Sequence, residues 1–342
     1  MLKRIMLIVA ICCLCACSFT QKEVQRVEVV DYSTISEALY TRLPGDLFYN
    51  DGYIIWVDPF ARDGFVHILD EKSGKELLTW GTLGEGPQEF NMPVVSYAFP
   101  PYIQIHDMNK DLQATLKIDR QVNDSVSMSI AWGQKKEGNY TRCLQLDDTA
   151  FIYFYPEADK PFRIDCRKDV VLTGEYPLKE KITNGFDVYQ GEIVYNNKCN
   201  LLLFYTYSFP YMAMYKYKDG EMLLEWEEKT PDYFIKDGAL ALNKDTPKGI
   251  NAAVFTKDYI IKLQRDELTE GEYPKNVSGR DMSHLPQSLF VYDYKARLTR
   301  IINMKLPVVR LAGDLNTNNI YAIIANPEFC IIRLSIDEVL NK

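Results

Sequence analysis

The feature that most limits the fold of this chain is a short apolar run that recurs about every fifty residues. The runs begin at residues 53, 102, 151, 201, 259 and 320, at intervals of 49, 49, 50, 58 and 61 residues. Short runs rich in Tyr, Phe, Ile and Val between turn-forming residues are typical of strands, and their regular return indicates a repeat architecture. We predict an all-β fold, a six-bladed β-propeller of four-stranded antiparallel blades. A double β-sandwich or an irregular all-β fold is the alternative.

Two hairpins and two insertions are also predicted. Residues 65–70 and 76–80 flank one turn, and the second hairpin turns at Asp219-Gly220, a pair that supplies the positive φ of tight turns. The last two intervals are longer than the others, which predicts blade insertions, notably over residues 267–287.

The N-terminus has the pattern of an export signal. Lys3 and Arg4 precede an apolar segment, residues 5–14, that is too short to span a bilayer. The sequence Leu14-Cys15-Ala16-Cys17 follows, and it resembles a lipobox, in which the last cysteine receives diacylglycerol before cleavage. The resemblance implies lipidation of Cys17 and attachment to a membrane.

This resemblance divides the chain into a lipoprotein signal peptide over residues 1–16, a lipidated linker over residues 17–26 and one propeller domain over residues 27–342. Ser18, rather than Asp, follows the cysteine. Lipoprotein sorting retains at the inner membrane those chains with Asp there, so we expect the outer membrane of the cell envelope. The periplasmic and surface faces both stay open.

Charge and cysteine spacing exclude two classes of function. The chain carries a net charge of −8, and removal of Lys3 and Arg4 with the signal leaves 37 basic residues against 47 acidic ones. Such a balance argues against nucleic acid as a partner. The cysteines of the mature domain are spaced too widely for a zinc ribbon, and both a Cys143–Cys166 disulfide and buried free thiols stay open; these cysteines are Cys143, Cys166, Cys199 and Cys330.

A sharper motif, GTLGEGPQEFNMP, occupies residues 81–93. It resembles the G-x-G-P-x-E-F-x-x-P segment between the first and second blades of TolB-like six-bladed propeller lipoproteins. In that family a single propeller follows a lipobox. Gln88 stands where the family often has Gly. Most members have no established activity, so the resemblance implies a fold rather than a function.

We interpret this motif as a structural turn. Gly84 and Gly86 allow backbone angles barred to other residues, and Gly86 is expected to need a positive φ. Glu89 is expected either to accept hydrogen bonds from the turn or to face a ligand. The glycine spacing does not fit a phosphate-binding loop. The residues assigned to the turn are Gly84, Gly86, Pro87, Glu89, Phe90 and Pro93.

No catalytic constellation is visible in the sequence. The three histidines, His67, His106 and His284, are isolated, and no G-x-S-x-G elbow occurs. We therefore predict no catalytic residue, no metal and no cofactor.

Four residues are candidates to face a ligand. Asp58 and Asp107 lie near strand ends, and Tyr207 and Tyr211 belong to a tyrosine cluster that could stack on sugars or contact a protein. Turn formation and blade packing are the alternative roles. The chain is therefore predicted to be a non-catalytic binding or scaffold module for an envelope protein, peptide or glycan. A propeller glycoside hydrolase or lyase with carboxylates at the channel mouth is the alternative.

Overall fold

The computed structural model describes residues 24–29, 31–96, 102–120, 126–136, 138–166, 169–244, 246, 249–266, 282 and 285–341. The predicted signal peptide, Cys17 and His284 lie outside these ranges. Strands account for 55% and helices for 4% of the described residues, which confirms the all-β prediction. No helix in the described part is long and apolar enough to cross a membrane.

The chain begins with two short strands, β1 (Arg26–Glu28) and β2 (Ser33–Ser36). Six four-stranded antiparallel blades form a propeller, as predicted. Blade 1 contains β3 (Leu47–Asn50), β4 (Tyr53–Val57), β5 (Asp63–Asp70) and β6 (Glu76–Thr82). Blade 2 contains β7 (Pro93–Ser96), β8 (Tyr102–Asp107), β9 (Gln113–Arg120) and β10 (Val126–Gly133). Blade 3 contains β11 (Arg142–Gln145), β12 (Ala150–Phe154), β13 (Phe162–Cys166) and β14 (Asp169–Thr173).

A short helix, α1 (Gly185–Tyr189), leads into the second half of the ring. Blade 4 contains β15 (Gly191–Asn196), β16 (Leu201–Thr206), β17 (Tyr211–Lys218) and β18 (Glu221–Lys229), and a separate hairpin of β19 (Tyr233–Lys236) and β20 (Ala239–Leu242) follows. Blade 5 contains β21 (Ala252–Phe255), β22 (Tyr259–Gln264), β23 (Ser288–Asp293) and β24 (Leu298–Asn303). Blade 6 contains β25 (Val308–Gly313), β26 (Asn319–Ala325) and β27 (Phe329–Ser335), before the final helix α2 (Ile336–Leu340).

The N-terminal strands close the ring. β2 pairs antiparallel with β27, where Ser33 lies opposite Arg333, and so supplies the fourth strand of blade 6. β1 pairs parallel with β24 and adds a fifth strand to blade 5. The two ends of the propeller domain are thereby joined through backbone hydrogen bonds rather than through a covalent link.

The six recurring runs of the sequence are the second strands of the six blades: β4, β8, β12, β16, β22 and β26. Each second strand is flanked by neighbours in its own sheet, and both of its faces pack against adjacent blades. Every residue of β4 and β16 is accordingly buried. Burial on both faces gives a continuous apolar run rather than an alternating one, which is why these strands are the visible signal.

Both predicted hairpins are present. Residues 65–70 and 76–80 fall within β5 and β6, and the second hairpin joins β17 to β18. Its turn residues Asp219 and Gly220 have φ values of 53° and 86°, as the Asp-Gly pair predicts. The fourth interval is lengthened by the β19–β20 hairpin, and most of residues 267–287 lie outside the described ranges.

The core is divided among the spaces between adjacent blades. Large aromatic side chains fill the space between blades 3 and 4, where the rings of Phe162 and Phe204 meet edge to face with centroids 5.5 Å apart. Between blades 2 and 3 the described residues form a smaller cluster around Tyr140, Cys143 and Tyr153. Blade-to-blade packing therefore uses much of the tyrosine and phenylalanine content of the chain.

Candidate functional site

The innermost strands of the six blades surround a central cavity of about 1,020 Å³. These strands are β3, β7, β11, β15, β21 and β25. Side chains such as Val95, Leu144 and Val194 contribute aliphatic surface to the cavity wall, and polar residues gather toward its ends. A concave site with an apolar wall and a few convergent polar groups is the usual form of a ligand pocket.

Polar residues from five blades meet at one mouth of the cavity. They lie between the residue before and the third residue of their innermost strands, and successive blades repeat the same strand order, so these positions converge. Backbone turns that lead into the strands place them there. The residues are Asp46, Arg142, Glu192, Asn251 and Arg310.

A half-buried ion pair occupies one side of this mouth. Arg142 Nε donates to both carboxylate oxygens of Glu192, at 2.6 and 2.5 Å, and Tyr207 Oη donates to the same carboxylate at 3.1 Å. Burial opposes the charge on Arg142, but the neighbouring Glu192 carboxylate raises the pKa of Arg142 well above its usual value. Burial raises the pKa of Tyr207, so its hydroxyl stays protonated and can donate.

Arg310 occupies the other side and is held differently. Its Nε donates to Gly45 O and one Nη to Val309 O, both at 2.9 Å. Within the described part of the chain, no carboxylate lies within ion-pair distance of Arg310 and no cation within that distance of Asp46. The mouth therefore combines one neutralised guanidinium with one whose charge is unpaired.

The opposite mouth is lined by residues that follow the innermost strands. Asp314 is buried and accepts hydrogen bonds from Asn316 N at 2.8 Å and from Thr317 Oγ1 at 2.6 Å. Lys198 Nζ donates to the side chain of Asn316. These contacts satisfy the polar groups locally, so this mouth offers fewer uncommitted groups than the first.

Asp58 and Asp107 were expected to face a ligand, and neither lines this cavity. Both are buried at strand ends, where they accept local hydrogen bonds. Asp58 Oδ1 accepts from Phe60 N at 2.9 Å and from Thr41 Oγ1 at 2.7 Å. Asp107 accepts from the backbone amides of Asn91, Met92, Asn109 and Lys110. Turn formation, the alternative role, is what the structure shows.

The two tyrosine candidates lie in different environments. Tyr207 is 37% exposed and lines the cavity beside Glu192. Tyr211 is fully buried in the core between blades 3 and 4, where its hydroxyl donates to Glu227 at 3.3 Å. Tyr211 therefore takes the alternative role of blade packing, because its position on the third strand of blade 4 turns it toward the neighbouring blade. A ligand contact for Tyr207 stays a prediction.

The motif at residues 84–93 lies between blades 1 and 2. Neither Gly84 nor Gly86 adopts a positive φ, so that part of its interpretation is wrong. Both glycines instead make room for Glu89, whose carboxylate accepts from Gly86 N at 2.8 Å. A Cβ built on Gly84 would lie 2.1 Å from Glu89 Oε2. Close approach, rather than a special backbone angle, explains the two glycines.

Lys110 and Phe90 connect this turn to both blades. Lys110 Nζ donates to Gly84 O at 2.7 Å and to Glu89 O at 2.9 Å. Phe90 is fully buried, with its ring centroid 5.7 Å from that of Phe65 in blade 1 and 5.9 Å from that of Trp132 in blade 2.

The other motif residues are simpler to place. Pro87 is exposed in the turn, whereas Pro93 begins β7 opposite Asp107.

The four cysteines within the described residues are free thiols, so the structure contains no Cys143–Cys166 bridge. Cys143 is fully buried, and burial raises the pKa of its thiol to about 12.

Sequence reasoning missed Asp46, Arg142, Glu192, Asn251 and Arg310. Each is isolated in the sequence, and the mouth exists only once the ring has closed. A usable signal is their similar offset, since all five lie between seven and ten positions before the start of a recurring run. Aligning the repeats on their second strands would have grouped these polar residues.

Comparison with known proteins supports the fold. No family model matches this chain, and no curated protein matches it. Among solved structures it is similar to a candidate exported protein from Bacteroides fragilis, with a TM-score of 0.55 and 12% identity over 90% of this chain and 97% of the other. It is also similar to a member of the DUF4221 family from Bacteroides vulgatus, with a TM-score of 0.52 and 12% identity over 88% and 94%. At this identity the likeness concerns the fold alone.

Proposed function

We propose that this chain is a membrane-anchored lipoprotein of the TolB-like propeller type, whose propeller is a non-catalytic binding module for a protein, peptide or glycan of the cell envelope. The observation that carries the proposal is the central cavity, with polar groups from five blades at one mouth and aliphatic surface below. Structural likeness to a candidate exported protein supports a location outside the cytoplasm. The lipobox at Cys17 supports the anchor.

The enzyme alternative needs a pair of carboxylates free to act on a substrate. Asp58 and Asp107 accept hydrogen bonds from the backbone of their own turns and do not line the cavity. Asp46 and Glu192 do line the polar mouth, but both oxygens of Glu192 accept from Arg142. The mouth therefore holds one carboxylate without an ion-pair partner among the described residues, Asp46, rather than a free pair. These contacts favour binding over hydrolysis as the role of this mouth.

Binding can be tested by cross-linking in the producing cells. A photoreactive phenylalanine analogue at the exposed mouth position Asn251 should yield adducts of higher mass on an immunoblot. The same analogue at Glu225, exposed on the outer strand of blade 4, is the control. Val194→Trp should remove the Asn251 adducts, because Val194 lines the cavity. Adducts of equal yield at Glu225, or adducts unaffected by Val194→Trp, would contradict a cavity-based module.

The anchor needs a separate measurement. Radiolabelled palmitate should enter the wild-type protein and should not enter Cys17→Ala. Cys199→Ala is a matched control, because it removes a thiol from the folded domain and leaves the lipobox intact. Equal labelling of the wild type and Cys17→Ala would refute the lipoprotein assignment.

A further inference from the structure

We propose that the polar mouth binds the free carboxylate of a peptide C-terminus, with Arg310 as the anchor for that carboxylate. This inference rests on the proposed binding function and names its ligand class. The mouth contains two guanidinium groups, of which Arg142 forms an ion pair and Arg310 forms none with a described residue.

Arg310 is oriented but not neutralised. Its Nε and one Nη donate to the carbonyls of Gly45 and Val309, which fixes the plane of the guanidinium at the cavity wall. Carbonyl oxygens carry no net charge, and among the described residues Arg310 has no carboxylate partner. A planar guanidinium with remaining N–H donors matches a carboxylate in both geometry and charge.

Arg142 makes a useful contrast within the same mouth. Both oxygens of Glu192 accept from Arg142, and Tyr207 donates to the same carboxylate. The charge of Arg142 is already neutralised by Glu192, so an incoming anion gains less there. Arg310 has no such neutralising partner among the described residues, so an anionic group should bind on its side of the mouth.

Two further features favour a peptide over an acidic sugar. Asp46 is half-buried, and no described cation pairs with it. It follows Gly45, the residue whose carbonyl holds Arg310, and it can accept the backbone N–H that every peptide carries next to its terminal carboxylate. Below the mouth, Val95 and Val194 offer aliphatic surface to a terminal side chain. A simple uronic acid lacks both the amide and an apolar side chain.

The net charge of the protein makes a specific contact necessary. The chain carries −8 overall, so long-range attraction does not draw an anionic terminus to this propeller. Binding should therefore depend on the local Arg310 contact and should weaken sharply when that contact is lost.

The test uses N-terminally fluorescein-labelled hexapeptides that end in each of the twenty residues, each as the free acid and as the C-terminal amide. Fluorescence anisotropy with the mature propeller should show binding of free acids that end in aliphatic residues. The matching amides should bind at least tenfold more weakly. Arg310→Gln should reduce the affinity for the free acids to that for the amides, and Arg310→Lys, which keeps the charge but loses the fork, should give an intermediate loss.

Arg300→Gln is the matched control, because Arg300 also donates an Nη to the preceding carbonyl but lies on β24, the fourth strand of blade 5, and does not line the cavity. It should leave affinity unchanged. A melting curve for each variant shows that the propeller is folded, since Arg310 also joins blades 6 and 1 through Gly45. Failure of the whole panel, equal binding of acids and amides, or unchanged affinity in Arg310→Gln would overturn the proposal. If the panel fails while Val194→Trp still removes the Asn251 adducts, the binding module stands and the peptide ligand does not.

Discussion

Replacing Phe90 with Ala tests how the motif at residues 84–93 stabilises the propeller. The ring is fully buried where blades 1 and 2 meet, and its centroid lies 6.0 Å from that of Trp80 and 5.9 Å from that of Trp132. Truncation removes the whole ring from a site that its neighbours cannot easily fill. A Phe→Ala change in a core costs about 3 to 5 kcal/mol of unfolding free energy. Because Trp132 is partly exposed and can shift inward, we expect a value near the lower end.

The assay is equilibrium urea denaturation of the mature propeller, followed by tryptophan fluorescence. Trp80 and Trp132 flank the site, so their fluorescence reports on the contact between blades 1 and 2. Phe234→Ala is the control, since Phe234 is 45% exposed on the β19–β20 hairpin and its removal should cost about 0.5 kcal/mol or less. If Phe90→Ala costs no more than Phe234→Ala, the packing role assigned to the motif is wrong.

Two further predictions concern a close contact and a buried histidine. Gly84→Ala should lower the unfolding free energy by about 1 to 3 kcal/mol, because the added Cβ displaces the Glu89 carboxylate from Gly86 N–H. In a Glu89→Ala background the same substitution should cost less than half as much. Equal costs in the two backgrounds would contradict the contact between Gly84 and Glu89. Burial, with the charges of Arg142 and Lys135, lowers the pKa of His106 from 6.5 to about 3. The unfolded chain therefore takes up the proton first, so stability should fall as pH drops from 6.5 toward 3. His106→Gln should flatten that fall in urea midpoints measured at pH 7 and pH 4, and an unchanged pH dependence would refute the reasoning.

The number of blades could be predicted because each second strand is buried on both faces. Runs such as those at residues 53 and 201 stay apolar throughout, whereas a half-buried strand alternates. The innermost strands could not be found in this way. β11, for example, has only four residues, and its first residue, Arg142, is polar because it reaches the cavity.

The binding mouth could not be predicted from the sequence because it is a property of the closed ring. Arg142 and Glu192 are fifty positions apart and become partners only when blades 3 and 4 pack side by side. Asp107 shows the opposite case. Its position at a strand end suggested a carboxylate free to contact a ligand. In the structure the backbone amides of Asn91 and Met92, from the preceding loop, donate hydrogen bonds to that carboxylate.

The pairing of β1 with blade 5 has a mechanical consequence for a tethered protein. Eight residues lie between Cys17 and Arg26, and a linker of that length spans at most roughly 30 Å. A lipid anchor at Cys17 would hold the propeller against the bilayer, and any tension along the linker would load the three paired residues of β1 first. β1 can separate from β24 while β2 stays paired with β27 in blade 6, so a force on the anchor can extend the N-terminal segment without opening the ring.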